Sequence, residues 1–455
     1  MINLFEYQNK VAINDSFDDL EDFLDNIWIN REKSSFYYQN ETNLSDSQKF
    51  LEFIHKSNEI RSNKYVGVIH FEGKKINLFP KIFYDNEIDY TSNKINQIQN
   101  HILWWLSYCR KIKFPNYQTI LGGTKSDLFE VLIYLFSKYT RELLNSSIYL
   151  QYEEISREMQ FIKGRLNIND YISENISKGR WHKLNCTYDA FVIDNEFNQI
   201  IKYVTKLLFN VTENFDNKKY LREILFILDD VSDETATVEQ CRRTLFNPLF
   251  SEFETVRDYC ELFLSHSISF DYKNDLKLFA FLLPMEYVFE DFIFGFIDKE
   301  LENVSAFAQK SDTYLDEGKS FNLKPDLWLK IGNKSIIADT KYKIIYLNQQ
   351  DPKKGISQND LYQMLAYAVR LKVDEIILFY PNTITQYQEN IIEFIIKDSF
   401  ANDIEILIKA VQLPIINYEV LNQELNESSY LNELFEPTKI DLKIRLEEIL
   451  TTNNI

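Results

Sequence analysis

The stretch that decides the fold of the C-terminal part is KPDLWLKIGNKSIIADTKYK, Lys324–Lys343. Two short apolar segments flank the dipeptide Gly332-Asn333, which is typical of a two-residue turn between antiparallel strands. If these two residues form the turn, Asp326 on the first strand directly faces Asp339 on the second. Side chains opposed in this way lie roughly 5 Å apart, and like charges at that separation destabilise a sheet. The hairpin therefore needs a physical reason for placing two carboxylates together.

A divalent cation between the two carboxylates would supply that reason. Asp339 and Lys341 are two positions apart on one strand, so both side chains point to the face that carries Asp326. Mg²⁺ is a hard ion that takes oxygen ligands from one or two carboxylates and keeps several waters. We therefore expect Asp326, Asp339 and the main-chain carbonyl of Thr340 to bind Mg²⁺. Lys341 would then orient an attacking water or stabilise transition-state charge, which predicts phosphodiester hydrolysis.

The other face of the same hairpin is apolar, which is the pattern of strands that bury one face. Its residues are Leu327, Leu329, Ile331, Ile336 and Ala338. We expect this face to pack in the core of the domain.

The two segments carry the signature PD-(D/E)xK, as Pro325-Asp326 followed by Asp339-Thr340-Lys341. A DxK triplet alone is almost uninformative, but a PD and a DxK at opposed positions of one hairpin are much more specific. The alternative is structural. Asp326 could begin a turn after Pro325, and Asp339 could pair with Lys341 or Lys324 in a solvated surface cluster.

Two features upstream and downstream of the hairpin favour a nuclease site. Glu290, in MEYVFEDFIF, lies on a predicted helix before the hairpin, and a carboxylate from this helix is expected to complete the metal site. Glu286 and Asp291 are competing candidates. After the hairpin, Gln363 and Tyr367 are four residues apart in DLYQMLAYA and share one helical face. This pair resembles the QxxxY element of RecB-type nucleases, which lies beside the active site and contacts DNA.

Composition excludes several other classes. The net charge of −19 argues against a protein that coats nucleic acid non-specifically. The four cysteines form no CxxC pair or Cys/His cluster, so neither a zinc site nor a disulfide framework is expected. No apolar run is long enough for a membrane span, and the N-terminus lacks the features of a signal peptide, so we expect a cytoplasmic protein without membrane contact.

The pattern along the chain predicts three regions. Residues 1–90 mix strand-like and helical segments, and residues 91–262 are mainly helical with two extended arms. Residues 263–455 begin with LKLFAFLLPMEYVFEDFIFGFIDKEL, which we interpret as a long apolar helix, followed by the hairpin, a helix and a buried strand. The expected fold class is α/β (α+β overall), with a C-terminal restriction-endonuclease-like core made of a mixed sheet flanked by helices.

The ordered blocks of the chain resemble the McrC family, the nuclease subunit of McrBC modification-dependent restriction systems. These blocks are FIKGRLNI, YDAFVIDNEFNQIIKYVTKLL, MEYVFEDFIFGFI, FNLKPDLWLKIGNKSIIADTKYK, SQNDLYQMLAYAVRL and ILFYP. They span roughly residues 95–455. The PD-(D/E)xK motif occurs in many nucleases, and the order of the blocks makes the resemblance specific.

The resemblance implies a partner and a division of labour. McrC-like proteins dock on a hexameric AAA+ GTPase, McrB, stimulate its GTPase and cleave double-stranded DNA, here expected to be base-modified. GTP would be bound by the partner, since this chain lacks GxxxxGK[ST] and its nearest string, LGGTKS (residues 121–126), is more typical of a helix cap. The candidates for partner contact are Lys163, Arg165 and Arg180, whose alternative interpretation is ordinary exposed strand ends.

Two other functions remain open from the sequence. One is a stand-alone RecB-like repair nuclease that cuts DNA without a partner. The other is a non-catalytic adaptor that activates a motor ring, against which the intact set of Asp326, Asp339 and Lys341 argues.

Overall fold

The computed structural model describes residues 2–13, 17–30, 50–71, 74–110, 128–271, 277–308, 313–320, 322–323, 325–332, 334–345, 351, 353–398, 404–422 and 431–451. The string at 121–126 and the turn residue Asn333 lie outside these residues. Among the residues described, no helix is both long enough and apolar enough to cross a bilayer.

The chain forms two compact units. The first contains residues 1–131 and 266–455, and the second contains residues 132–265. This division differs from the three consecutive regions predicted from the sequence. Residues 1–90 do not form a domain of their own, because strands from them pair in one sheet with a strand from the C-terminal region.

A five-stranded sheet makes this long-range connection in the first unit. Its strands, in spatial order, are β1 (Ile2–Phe5), β6 (Lys74–Phe79), β5 (Tyr65–Phe71), β11 (Lys277–Pro284) and β10 (Ser267–Asp271). Strands β1 and β6 are parallel, and the other neighbours are antiparallel. One buried cluster contains Leu20, Ile69 and Leu282, so apolar side chains from both ends of the sequence share a core.

A small sheet and one helix extend this core. The elements are β2 (Lys10–Ala12), β4 (Glu59–Ser62), β3 (Leu51–Ile54) and α1 (Phe17–Asn30). Helix α1 buries Leu20, Phe23 and Leu24 in the cluster just described.

A six-stranded mixed sheet carries the predicted hairpin. Its strands, in spatial order, are β12 (Ser305–Ala308), β15 (Leu327–Ile331), β16 (Lys334–Thr340), β17 (Glu375–Pro381), β19 (Ile404–Leu413) and β18 (Ile392–Asp398). Strands β16, β17 and β19 are parallel, and the outer pairs are antiparallel. A minor hairpin is formed by β13 (Thr313–Tyr314) and β14 (Asn322–Leu323). The mixed sheet of the predicted C-terminal core is confirmed.

Helices flank this sheet and connect its strands. They are α2 (Ser92–Tyr108), α9 (Met285–Glu300), α10 (Gln358–Leu371), α11 (Tyr418–Asn422) and α12 (Leu431–Thr451). Helix α10 connects the parallel strands β16 and β17, as a crossover between such strands requires. Its side chains Met364 and Ala368 lie in one buried cluster with Ile337 of β16.

The prediction of one long helix from Leu276 onward is wrong in its first part. Residues up to Pro284 form strand β11, and helix α9 begins at Met285. Pro284 is the residue before the helix, where a proline without an N–H group is tolerated. The apolar run is equally compatible with a buried strand or a buried helix, and pairing with β5 decides for the strand.

Helix α2 belongs to the first unit and not to a middle helical domain. The indole N–H of Trp105 donates to the Ile415 carbonyl at 3.2 Å, and the Trp104 ring stacks on Phe435 with centroids 4.9 Å apart. These contacts join α2 to the C-terminal residues of the same unit.

The second unit combines helices with a small sheet. Its elements are α3 (Leu128–Ser146), β7 (Gln151–Met159), β8 (Arg165–Leu166), α4 (Ile168–Asp170), β9 (Leu184–Val192), α5 (Glu196–Val211), α6 (Phe215–Ile227), α7 (Val238–Arg243) and α8 (Phe253–His266). Strands β7, β9 and β8 form an antiparallel sheet. The predicted extended arms are therefore only partly correct, since β8 is two residues long and helical turns follow it from Ile168 to Lys178.

We predict that Gly67→Ala destabilises the first unit. A Cβ at Gly67 would lie 2.0 Å from the carbonyl oxygen of Phe281, and the glycine has a φ of +147°. Both the clash and the backbone conformation oppose any side chain, so we expect a loss of about 2–4 kcal/mol in the free energy of unfolding. Chemical denaturation measures it.

Gly332→Ala is the matched control. It also has a positive φ, +57°, but an added Cβ would meet nothing within 4 Å. Gly332→Ala should lower the free energy of unfolding by about 1–2 kcal/mol, from backbone strain alone. Equal losses in the two variants would contradict the close approach of β5 and β11.

Candidate active site

The hairpin has the register predicted from its turn. Leu327 pairs with Ala338 and Ile331 pairs with Lys334, with Gly332 in the turn. Asp326 is the residue before β15, so it lies across from Asp339 at the end of the pair. The prediction that two carboxylates face each other on adjacent chain segments is confirmed.

The sheet buries both faces of the second strand. The predicted core residues Leu327, Leu329, Ile336 and Ala338 are fully buried, whereas Ile331 is half-buried at the turn. On the opposite face Ile337 is also buried, beneath α10. Asp339 is 1% exposed, which excludes the alternative of a solvated surface cluster.

Thr340 orients the first carboxylate. Its main-chain N–H and its hydroxyl both donate to Oδ2 of Asp326, each at 2.8 Å. Two donors on one oxygen fix the orientation of the carboxylate and leave the other oxygen, Oδ1, available to a ligand. That the Thr340 carbonyl is itself a metal ligand stays a prediction.

Lys341 joins the second carboxylate to helix α10. Its ammonium group contacts Oδ2 of Asp339 and donates to Oε1 of Gln363 at 3.2 Å. The Gln363 amide in turn donates to the hydroxyl of Tyr367 at 2.9 Å. The structure therefore brings Gln363 and Tyr367 to the site, as their resemblance to the QxxxY element implied.

Of the three candidate acids on α9, the structure brings Glu290 to the site. Its negative charge acts on Asp326 and raises the pKa of that carboxyl. Asp291 instead accepts hydrogen bonds from the N–H and the Nε of Arg110, at 3.0 and 2.7 Å. Glu286 lies in the first turn and is exposed. Successive helical residues point about 100° apart, so the neighbouring residues Glu290 and Asp291 face different parts of the structure.

Both aspartates of the site have raised pKa values, because their charged forms are unfavourable there. Burial, followed by the charge of Glu290, raises the pKa of Asp326 to about 7. Burial and the charge of Asp326 raise the pKa of Asp339 to about 7 as well. Burial is the largest single influence and lowers the pKa of Lys341, but the charge and hydrogen bond of Asp339 together with the charges of Asp326 and Asp360 outweigh it, and the net change is upward. Lys341 is therefore a cation at neutral pH.

This set of groups fits a hard divalent cation. Asp326, Asp339 and Glu290 supply carboxylate oxygens, and the raised pKa values show that a further positive charge would be favourable. The donors are oxygens and no cysteine or histidine is among them, which matches Mg²⁺ better than a softer metal.

Sequence reasoning missed two neighbours of the site. Asp360 is buried in the first turn of α10 and accepts from Lys343 through both oxygens, each at 2.9 Å. Tyr380 of β17 is buried, and the negative charges of Asp360 and Asp339 act on its hydroxyl. The sequence signal for Asp360 was its position three residues before Gln363, one helical turn away.

The geometry of the site is compatible with the PD-(D/E)xK signature of the sequence. Asp326 lies at the start of the hairpin, Asp339 and Lys341 lie two residues apart at its end, and the preceding helix contributes Glu290.

Comparison with known proteins then gives the family. The family model described as "McrBC 5-methylcytosine restriction system component" matches residues 60–381, well over half of the chain. The chain belongs to this family, and the resemblance to McrC drawn from its sequence blocks is confirmed. The matched range includes the hairpin and begins inside the N-terminal region that the blocks did not cover. No match was found among curated proteins.

Two solved structures share the fold. The first is a refined half-complex from a tetradecameric assembly of Thermococcus gammatolerans McrB AAA+ hexamers with bound McrC. Its identity is 18% and its TM-score is 0.67, over 98% of this chain and 99% of that chain. The second, the Thermococcus gammatolerans McrBC complex, has 20% identity and a TM-score of 0.51, over 66% of this chain and 88% of that chain.

We predict that Asp326→Asn stabilises the metal-free chain at alkaline pH. The folded-state pKa values of about 7 for Asp326 and Asp339 lie above the ordinary value of roughly 4. The folded chain therefore binds more protons than the unfolded chain between about pH 4 and 7, and its stability falls as the pH rises through this interval. An asparagine removes one charge and can still accept from Thr340.

Thermal unfolding with EDTA measures the effect. At pH 8 the variant should melt roughly 2–4 °C above the unsubstituted chain, a modest shift because Asp326 is partly exposed. The difference should shrink at pH 5, where the wild-type carboxyls are mostly protonated. Added Mg²⁺ should stabilise the wild type more than the variant. A variant less stable at pH 8 would contradict the repulsion.

Proposed function

We propose that this chain is the Mg²⁺-dependent DNA endonuclease subunit of a McrBC-like, GTP-dependent restriction system. The observation that carries the proposal is the convergence of Asp326, Asp339 and Lys341 at one end of a buried hairpin. Family membership supports the setting, since the family is described as a component of a 5-methylcytosine restriction system. The expected substrate is double-stranded DNA carrying a modified base.

The roles of the residues follow from their contacts. Asp326, Asp339 and Glu290 would hold Mg²⁺, which when bound polarises a phosphoryl oxygen and lowers the pKa of a bound water. Thr340 fixes the orientation of Asp326 through its two hydrogen bonds. Lys341 carries a positive charge that can orient the attacking water or stabilise the charge that develops on the phosphate.

Helix α10 positions this lysine. Gln363 accepts a hydrogen bond from Lys341 and is itself bound to Tyr367, whose ring is buried. The chain from Tyr367 through Gln363 to Lys341 restricts the side-chain rotamers of the lysine. Gln363 is exposed and is also the proposed contact to DNA, whereas the burial of Tyr367 argues against the direct DNA contact expected for it from the sequence.

The proposed partner is a McrB-like AAA+ GTPase hexamer. The similar Thermococcus proteins are described as McrB AAA+ hexamers with bound McrC and as a McrBC complex. Because the sequence contains no GxxxxGK[ST], GTP would be bound and hydrolysed by the partner.

The proposed docking element is an arm, defined as residues 151–192, which contains β7, β8 and β9. Large apolar side chains on the arm are between 47% and 73% exposed. They are Tyr152, Phe161, Ile162, Ile168, Ile172, Ile176, Trp181 and Phe191. Soluble monomers rarely expose so many apolar groups within one small element, and such surfaces mark interaction sites. Trp and other aromatic residues are also the side chains most often found as binding hot spots.

The three basic residues proposed for partner contact differ in their exposure and in the contacts they already make within the chain. Arg165 is 77% exposed and its nearest acid, Glu154, is 4.0 Å away. Lys163 lies over the ring of Tyr188 at 4.0 Å, and Arg180 donates to the Glu174 carbonyl at 3.0 Å. Arg165 is therefore the best placed to bind a partner, whereas Arg180 also has a structural role within the arm.

We predict that the nuclease site and the docking function separate by mutation. Asp339→Asn and Lys341→Ala should each lower DNA cleavage by roughly 10²–10³-fold, because each removes a charge that acts on the phosphate. Binding to the ring and stimulation of its GTPase should stay at wild-type levels. Cleavage of plasmid DNA and GTP hydrolysis are measured on the same reconstituted complex.

The outcome distinguishes the three functions considered. Wild-type cleavage by both variants would favour a non-catalytic adaptor. If the purified wild-type chain cleaves DNA efficiently with Mg²⁺ alone, and the ring does not change its rate, a stand-alone repair nuclease would be favoured. Loss of cleavage and GTPase stimulation together, with the fold intact, would contradict the division of labour.

We predict that the combined change Phe161→Ser and Trp181→Ser weakens binding to the ring by at least about tenfold, since two large apolar contacts are lost. Surface plasmon resonance or sedimentation measures the affinity. Leu249→Ser is the control, because Leu249 is 86% exposed in the same unit but lies outside the arm. If Leu249→Ser loses as much affinity for the ring as the double variant does, a docking role specific to the arm would be contradicted.

A further inference from the structure

Glu6 is a buried carboxylate in the turn that follows β1. Its main-chain N–H donates to the Phe79 carbonyl at 3.0 Å, so the parallel pairing with β6 holds its backbone. The side chain is 0% exposed. Its Oε2 accepts two hydrogen bonds, from the hydroxyl of Tyr342 and from the N–H of Lys81, each at 3.1 Å.

Tyr342 is the residue directly after Lys341. It is 3% exposed, and its ring lies between two neighbours. The ammonium group of Lys81 is 4.5 Å from the ring centroid, and the ring of Phe289 is 5.8 Å away between centroids. Phe289 is the residue before Glu290. Tyr342 therefore follows Lys341 in the chain and packs against the residue that precedes Glu290, next to two of the proposed site residues.

The backbone at Lys341 needs such an anchor. Strand β16 ends at Thr340, and a single hydrogen bond from the N–H of Lys341 to the Phe379 carbonyl, at 2.8 Å, continues the contact with β17. Residues 341–345 have no regular secondary structure. Within this segment the Lys343 N–H donates to the Lys341 carbonyl at 2.8 Å, and the Lys343 ammonium group binds Asp360. The fully enclosed anchor is Tyr342, which is 3% exposed and donates through its hydroxyl to Glu6.

The energetic cost of Glu6 suggests a role other than stability. Its second oxygen, Oε1, is buried and has no hydrogen-bond partner among the described residues. A buried acceptor left without a hydrogen bond lowers the stability of the folded chain. By contrast Glu375, another buried carboxylate of the first unit, is paired with Lys409 at 2.8 Å and also contacts Lys334. Positions that break a local rule of stability are frequently functional sites.

We propose that Glu6 is a positioning residue of the nuclease site, acting through the hydroxyl of Tyr342 to hold the backbone that carries Lys341. The inference rests on the proposed function and deepens it. It also assigns a role to the N-terminal residues, because β1 and the Lys81–Phe83 turn together present a fixed acceptor to the segment after β16. Displacement of a catalytic group by about 1 Å can cost roughly 10²-fold in rate.

The test compares four variants of the full-length chain in complex with its ring partner and Mg²⁺. Glu6→Ala removes the acceptor, Tyr342→Phe removes the donor, and Glu6→Gln keeps a carbonyl oxygen that can accept from both Tyr342 and Lys81. Tyr108→Phe is the matched control, because the Tyr108 hydroxyl also donates to a glutamate, Glu300 at 3.0 Å, away from the proposed site residues.

We expect Glu6→Ala and Tyr342→Phe to lower kcat for DNA cleavage by roughly tenfold or more, with KM for DNA changed by less than about twofold. GTPase stimulation should be unchanged, which shows that the chain is folded and docked. Glu6→Gln should retain most of the cleavage rate, and Tyr108→Phe should cleave like the wild type.

Three results would overturn the inference: wild-type kcat in both Glu6→Ala and Tyr342→Phe, equal losses of cleavage and GTPase stimulation, or a Glu6→Gln variant as impaired as Glu6→Ala. Should Glu6→Ala fail to fold, Tyr342→Phe and Glu6→Gln still decide. Asp339→Asn, measured in parallel, separates the two proposals. If it cleaves normally, the proposed function fails and the inference with it. If it is inactive while the Glu6 and Tyr342 variants are active, only the inference fails.

Discussion

The repulsion between two carboxylates that one hairpin brings together, Asp326 and the buried Asp339, is the constraint on which the rest of the structure depends. Asp326 and Asp339 are held together by the register of the hairpin, and that register cannot slip without exposing Leu327, Leu329 and Ile336. The sheet thus maintains an electrostatic arrangement that would be unfavourable by itself. In the proposed function a hard cation would turn this cost into binding energy, so the same residues that destabilise the chain would serve a reaction on phosphate.

The surrounding elements orient the charged groups. Thr340 holds Asp326, Gln363 holds Lys341, and α9 contributes Glu290 on the side facing the hairpin while Asp291 binds Arg110 elsewhere. The orienting residues Thr340, Gln363 and Glu290 each lie on a strand or a helix and not on a long loop. Sites built on regular elements keep their geometry better than sites on loops, which suits a reaction that needs an aligned water.

The local features of the site were predictable. The turn dipeptide set the pairing of Asp326 with Asp339, because a two-residue loop allows one register only. The spacing of Gln363 and Tyr367 likewise placed both on one helical face. The choice among Glu286, Glu290 and Asp291 was not predictable, because all three lie on α9 and only the packing of that helix decides which carboxylate meets the hairpin. The strand β11 was mistaken for helix because its apolar run has no clear period.

The sequence by itself determined the hairpin, its register, the residue types of the proposed site and the family resemblance, since these depend on neighbours within about 20 residues or on ordered blocks. Only the tertiary structure decided that the N-terminal strands join the sheet of β11, and that Glu6 meets Tyr342 across 336 positions of the chain. Such contacts leave no periodic signal, because strand pairing between distant segments is selected by the burial of a shared core and not by any local preference of the residues involved.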